Sequence, residues 1–282
     1  TPLKVLYHDH DSPSAAEGDT GSVFMRWVAW ARHRLAHRAD LCILPNEQRA
    51  KIFGEMARRE ALTVWNCPAT SEVGPPRLPH TGNTLRLLYH GSIVPSRLPT
   101  TVLEALAQLP PEVSLTVIGY ETSGHAGYLE HLRLQARHLG LEQRVMFLGA
   151  IPTRHELLTQ CQMCDIGLTF MPNETQDINM RYMIGASNKP FDYLACGLAL
   201  LVSDLPDWRE LYVAPGYGLA CNPNDPASIA EAVNWFLEHP AQMRHMGEQG
   251  RQQILHEWNY ERQFAPALHA LNAPVCPSRR GS

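Results

Sequence analysis

Between residues 84 and 222 short apolar runs alternate with amphipathic stretches, and that alternation constrains the fold more than any other feature. Strands are expected at Leu85–Tyr89, Val113–Ile118, Val145–Leu148, Ile166–Phe170, Ala199–Val202 and Tyr217–Ala220. Helices are expected at Thr100–Gln108, Tyr128–His138, Arg154–Gln160, Lys189–Cys196 and Pro226–Glu238. Continuous apolar strands separated by helices give an α/β fold, a parallel sheet with helices on both faces. In such sheets ligands bind outside the carboxyl ends of the strands. The residues that follow strands are therefore informative: His90-Gly91-Ser92 with Arg97 beyond, Gly119-Tyr120-Glu121, Gly149-Ala150-Ile151, and Met171 to Gly185 with Asp177, Asn179 and Arg181. Gly91, Gly119 and Gly149 permit close backbone approach of a ligand. Each alone also suits a tight turn, but three at successive strand ends favour a site.

The stretch Ser187 to Gly197 reads as a polar loop, a short helix and a glycine stop before the strand at Leu198–Ser203. Asn188 suits the N-cap, Pro190 the first turn, and Gly197 the left-handed residue that ends a helix. The helix N-terminus offers N–H groups and a positive dipole end to an anion, and Lys189 adds a full charge. Asp192 suits a pair of sugar hydroxyls. A capped helix with solvated charges accounts for the same residues equally well.

The first 66 residues hold strands expected at Leu3–Tyr7, Leu41–Leu44 and Leu62–Trp65, with helices at Gly21–Arg38 and Glu47–Arg58. Phe24, Trp27, Val28, Ala31 and Leu35 share a face of the first helix, and Arg26, Arg32, His33, Arg34, His37 and Arg38 occupy the others. A basic amphipathic helix can lie on an anionic membrane; a core helix with a solvated basic side is favoured. Cys67 to Asn83 is rich in Pro, Gly, Ser and Thr and reads as a linker. After the sheet come helices at Pro240–Glu257 and Tyr260–Leu271, then a tail from Ala273 expected to be disordered. The domain division is 1–83, 84–258 and 259–282, with the last helix crossing back to the first domain. The chain starts on Thr1 with a strand, which reads as a missing beginning.

A formal net charge of −4 gives no electrostatic footprint for nucleic acid. The 7 cysteines are scattered, which fits a reducing compartment, and Cys161-Gln-Met-Cys164 reads as packing. No run reaches the ~20 apolar residues of a membrane-spanning helix. There is no G-x-G-x-x-G, Walker or G-x-S-x-G pattern.

Four pieces of the sequence resemble a glycosyltransferase of the GT-B fold, glycosyltransferase family 4 above all. They are the glycine-started loop Gly91 to Arg97, the V-x-F-L-G run Val145 to Gly149 with Asp165-Ile166-Gly167-Leu168, the stretch Asn188 to Gly197, and Trp258-Asn259-Tyr260-Glu261. The resemblance implies a complete Rossmann-like C-terminal domain and a partial Rossmann-like N-terminal domain, similar to the later part of the family's acceptor side. It implies transfer of a sugar from a nucleotide-diphosphate sugar to a saccharide, lipid-linked or small-molecule acceptor. Arg97 matches the cation on the leaving diphosphate, Asp192 the acid on the ribose, and Gly149, Ala150 and Ile151 the base site. His8 or His10 falls where the acceptor-side domain faces the cleft. Departures are Ser92 where the family usually has Arg, Asp192 where Glu is usual, and Ile184 where the family's first glutamate falls.

Arg97, Lys189 and a helix terminus would stabilise the leaving group without a metal or other cofactor. His8-Asp9-His10-Asp11 admits a metal cluster, a general base or acceptor contact, or a solvated loop; the base is the preferred functional reading. The alternatives to a transferase are a non-catalytic fragment that binds nucleotide-sugar or a partner, and a GT-B sugar-nucleotide epimerase. A cytoplasmic protein is expected, with peripheral contact at the inner membrane face admitted. The incomplete sheet of residues 1–66 is expected to leave an apolar face or strand edge uncovered.

Overall fold

The computed structural model describes residues 4–10, 23–77 and 84–272. Expectations placed on Leu3, Asp11, Gly21, residues 78–83 and the tail 273–282 lie outside the described residues. In chain order the elements begin β1 (Leu6–His8), α1 (Val23–Arg38), β2 (Leu41–Leu44), α2 (Glu47–Ala57) and β3 (Ala61–Thr63). There follow β4 (Leu85–Ile93), α3 (Thr101–Gln108), β5 (Val113–Glu121), α4 (Tyr128–His138), β6 (Val145–Gly149), α5 (Arg154–Gln162) and β7 (Ile166–Thr169). The rest are α6 (Ile178–Arg181), α7 (Asn188–Ala195), β8 (Ala199–Ser203), α8 (Pro206–Trp208), β9 (Gly218–Cys221), α9 (Pro226–Glu238), α10 (Pro240–His256) and α11 (Tyr260–Asn272). Two compact units result: unit 1 from residues 1–66, 175–186 and 260–282, unit 2 from 67–174 and 187–259. The stretch 67–77, read as linker, falls in unit 2, and 175–186 falls in unit 1.

Unit 1 is a parallel sheet in the order β1-β2-β3. Alternate residues of β2 face opposite ways, as the pleat requires. Cys42 and Leu44 pack with Ala36, Ala50 and Phe53, whereas Ile43 packs with Val64 and Ala267. The helix α11 lies on β2 and β3. Phe264 supplies contact as expected, but Leu268 is 53% exposed and Ala267 is the buried partner. Asn46 caps α2, its Oδ1 accepting from the N–H of Gln48 and Arg49 at 2.9 and 3.1 Å. Its Nδ2 donates to the Ile184 carbonyl at 2.9 Å, and Asn66 Nδ2 to that of Ala186 at 2.7 Å. Those bonds tie the stretch 175–186 to the sheet.

Two expectations in unit 1 are corrected. An apolar run such as Leu3–Tyr7 reads as a buried strand, yet Val5 is 50% and Leu6 39% exposed. The large apolar residues of α1 do not enter a core: Phe24 is 68%, Trp27 61%, Trp30 59% and Leu35 53% exposed. Among the described side chains of this helix only Ala36 is fully buried. Periodicity reports that a helix has an apolar side, not that anything covers it.

Unit 2 carries a six-stranded, all-parallel sheet in the order β6-β5-β4-β7-β8-β9. From β4 the chain builds outward through β5 to β6, then returns beside β4 as β7 and builds the other way. The reversal point is the crevice between the carboxyl ends of β4 and β7, where such sheets bind ligands. The strands β7 and β8 are buried along their whole length, as helices on both faces require, while the edge strand β6 alternates. The core joins Leu85, Leu87, Leu115, Val117, Leu168 and Phe236 among others. Beyond the expected elements, a helical turn at Pro206–Trp208 runs into a π-turn at Arg209–Val213. Tyr212 of that turn meets Trp258 edge-on, as do Phe191 and Tyr217. The strands β4 and β5 outrun their expected ends and stay paired as far as Ile93 and Glu121.

Candidate functional site

The crevice of unit 2 is organised by α7. Its N-cap is Ser187, which makes no side-chain capping bond, so Asn188, expected as the cap, is instead the first helical residue and is exposed. At the other end Gly197 takes φ +70°. The N–H of Gly197 bonds the Leu194 carbonyl and that of Leu198 the Tyr193 carbonyl, the paired bonds of a glycine stop. Tyr193 docks the helix onto the sheet. Its hydroxyl accepts the backbone N–H of His90 at 2.9 Å, and its ring fills the place where any β-carbon on Gly167 would sit.

Lys189 and Asp192, three residues apart, share the face of α7 that looks at the end of β4. Lys189 is buried and lies against the Gly91 backbone, and a β-carbon on Gly91 would come 2.9 Å from its Cε. Gly91 also holds φ +110°, a conformation that favours glycine whatever the space around it. Lys189 Nζ stands 5.6 Å from the centre of the Tyr89 ring. Burial pushes the Lys189 ammonium down to about 7, and the Arg97 guanidinium pushes the same way while Asp192 opposes both. Arg97 Nη1 donates to Ser92 Oγ at 3.2 Å. Arg97, Lys189, Gly91 and Ser92 thus meet at the end of β4, although Lys189 comes from nearly a hundred residues downstream. An anion placed there meets two cations and the first turn of a helix.

Asp192 lies deeper, with its side chain fully buried. It is held by Arg154, the first residue of α5: Nη2 donates to Oδ1 at 2.7 Å and Nη1 to Oδ2 at 3.3 Å. Arg154 Nε bonds Glu72 as well. Burial raises the Asp192 carboxyl to about 6 against the opposing pull of Arg154. Arg154 is raised above its usual range, because Asp192 and Glu72 outweigh its burial. His90 Nε2 lies 3.5 Å from Asp192 Oδ2. Burial, then the charges of Lys189 and Arg154, push this imidazole down to about 3, so it stays neutral. Arg154 and Glu72 are absent from the sequence reading of the site, and His90 enters it only as part of the strand exit His90-Gly91-Ser92, without a role of its own. Their separation from Asp192 in sequence leaves no local signal; only the position of Arg154 just beyond Gly149-Ala150-Ile151 hinted at it.

The other expected residues fall in three places. Gly119 pairs with Gly91 across the sheet, and a β-carbon there would lie 1.8 Å from the Gly91 oxygen, so its bareness serves the sheet itself. Gly149 holds φ +71° at the end of β6 with nothing near its β-carbon position, and Ala150 and Ile151 lead from it towards α5. His8 and His10 lie in unit 1, ring centres 4.0 Å apart. Burial, then His10, lower the pKa of His8. Among the described residues no group of three or more His, Cys, Asp or Glu is placed to hold a metal ion. The cysteines among them are buried and unbridged, so Cys161 and Cys164 pack as expected. At the mouth of the crevice a cavity of about 350 Å³ is lined by Ser96, Met171, Asn173, Glu174, Pro223 and Asn224.

Residues 75–253 match the family model described as glycosyl transferases group 1. No curated protein sequence matches the chain. Solved structures with the same fold include HepE from Anabaena in complex with UDP and glucose, at TM-score 0.71 and 18% identity over 96% of this chain and 72% of that one. Sucrose-phosphate synthase from Thermosynechococcus elongatus aligns at TM-score 0.64 and 17% identity, over 94% of this chain and 66% of its own. The E. coli trehalose-6-phosphate protein bound with UDP-2-fluoro glucose aligns at 0.66 and 12% identity, over 96% and 68%. The α/β fold is of the GT-B type in each comparison. Among the described residues no helix is long and apolar enough to cross a membrane.

Proposed function

We propose that this chain, which belongs to the glycosyl transferases group 1 and is a glycosyltransferase, takes its sugar from a nucleotide-diphosphate donor seated in the crevice of unit 2. The observation that carries this reading is the meeting of Arg97 and Lys189 at Gly91, beside the first turn of α7. In transfer the bond from sugar C1 to the β-phosphate oxygen breaks, an acceptor oxygen bonds C1, and the acceptor proton departs. Negative charge grows on the diphosphate as the bond breaks. Arg97 and Lys189 stabilise that charge where it develops, which is what accelerates the step. Two protein cations do the work a divalent ion does elsewhere, so the reaction is metal-independent and needs no cofactor. Lys189 supplies the second cation that Ser92, in place of the family's usual Arg, does not. The UDP-bound state of HepE supports a uridine nucleotide as the first donor to test.

Membrane contact belongs to the same reading. The helix α1 carries Arg26, Arg34 and Arg38 among exposed Phe24, Trp27 and Trp30, and no acidic residue at all. That composition suits the face of an anionic bilayer, which fits a lipid-linked acceptor.

The test is calorimetric titration with UDP, ADP and GDP, followed by single-turnover transfer from the matching donor. Arg97→Ala should bind the nucleotide more weakly and slow transfer by a further 10²–10³-fold, by analogy with lost oxyanion donors. Absence of binding for all three nucleotides overturns the reading. Binding without transfer leaves the non-catalytic alternative.

A further inference from the structure

We propose that Arg154 is the residue that meets the ribosyl-phosphate end of the donor, and that Asp192 acts through it as a positioning residue. The inference rests on the donor reading above and deepens it. The resemblance assigned Asp192 to the ribose hydroxyls. The geometry places that carboxylate out of a ligand's reach: its side chain has no exposed surface, and both oxygens accept from Arg154. His90 closes a further side at 3.5 Å. A ribose hydroxyl reaches Asp192 only by expelling a bidentate guanidinium from a buried carboxylate, which leaves a buried charge without its partner.

Arg154 is the group that solvent sees, with its side chain 38% exposed. A guanidinium has five N–H donors in a fixed plane. Nε is bonded to Glu72, and one N–H from each terminal nitrogen goes to Asp192. Each terminal nitrogen keeps a second N–H, and these suit acceptor oxygens on a phosphate or ribose. Two carboxylates from separate elements clamp the plane, Glu72 in the turn before β4 and Asp192 in α7. Such clamping removes the rotamer freedom that a long side chain otherwise loses on binding. The position fits the function: Arg154 follows Gly149-Ala150-Ile151, the open end of β6, and its charge is felt at His90 together with that of Lys189. Arg97, Lys189 and Arg154 then form a row of cations from the leaving diphosphate towards the nucleoside.

A double-mutant cycle with UDP, read by calorimetry on the full 282-residue chain, tests this. Arg154→Ala should weaken UDP binding about tenfold or more, and Arg154→Lys should recover part of the loss. Asp192→Asn should weaken it less. In the Arg154→Ala background, Asp192→Asn should change nothing further, because its effect passes through the arginine. Thermal melts of each variant confirm folding, and Arg154→Lys, which keeps a charge beside Asp192, carries the test should Arg154→Ala not fold. Full UDP affinity in Arg154→Ala, or in Arg154→Lys if only that variant folds, overturns the assignment. An Asp192→Asn effect that persists at full size without Arg154 overturns it equally, since Asp192 would then touch the donor itself. If Arg97→Ala loses UDP while both Arg154 variants keep it, the donor reading stands and only this inference falls. If the wild-type chain binds no nucleoside diphosphate, both fall.

Discussion

Lys189 gives the donor site a proton signature. An ordinary lysine titrates at 10.5, but in the empty crevice burial and Arg97 bring this one down to about 7. A nucleoside diphosphate supplies the negative charge the crevice lacks and restores the ammonium. Should the full shift be restored, about 3.5 pH units at 1.36 kcal/mol each couple roughly 4–5 kcal/mol of proton binding to donor binding. At pH 7 about half the empty sites hold the proton, and at pH 9 about one in a hundred. Between those values the UDP dissociation constant should rise about fiftyfold, with uptake growing from about half a proton to one. Calorimetry in two buffers of different ionisation enthalpy measures both quantities, and Lys189→Met should abolish the uptake and most of the slope. Without ligand the sign reverses. The folded pKa lies below the unfolded one, so the folded state is favoured while the lysine is neutral and loses stability as pH falls from 10.5 towards 7. Lys189→Met should therefore raise the empty protein's stability at pH 7 by up to roughly 4 kcal/mol. No proton uptake at pH 8, or equal uptake in Lys189→Met, refutes the reasoning.

Three further outcomes follow from geometry. Gly119→Ala places a methyl 1.8 Å from the Gly91 oxygen at φ +152°, so it should part β4 from β5 and lower the melting temperature by roughly 5–10 °C, or prevent folding. Asn46→Ala removes the cap of α2 and the bond to Ile184, and should cost about 2 kcal/mol in denaturant unfolding without altering UDP affinity. Flotation with vesicles of anionic phosphatidylglycerol should capture the chain, with loss in Trp27→Ala/Trp30→Ala and in 0.5 M salt; equal capture by neutral vesicles contradicts an electrostatic contact.

The sheet of unit 2 was legible because strands buried on both faces read as unbroken apolar runs and the helices between them are amphipathic. Tyr128–His138 and Pro226–Glu238 were read with the bounds they have. Gly91 and Gly119 misled at the boundaries: glycine in a strand reads as a stop, but here two glycines pair with each other and the ladder continues. Lys189 was legible as a cation at a helix start. Arg154 was not, since an arginine opening a helix looks like any surface cation until Asp192 is brought beneath it. The exposed side of α1 shows the same limit, because what lies against a helix is decided outside its own residues.

The stretch 175–186 leaves unit 2 after β7 and re-enters it at the residue before α7, and Asn46, Arg49 and Asn66 all hydrogen-bond it. Unit 2 is therefore discontinuous, and no single cut releases it. A genetic dissection must delete the excursion and join residue 174 to 187 through a bridge. Closing a flexible bridge scales only as the logarithm of its length, with about 0.6 kcal/mol for each doubling. The same excursion is a rational place for new chain ends: a permuted chain that begins and finishes there keeps every strand of the six-stranded sheet on its original neighbours, and it separates the end of β7 from the start of α7 without touching either.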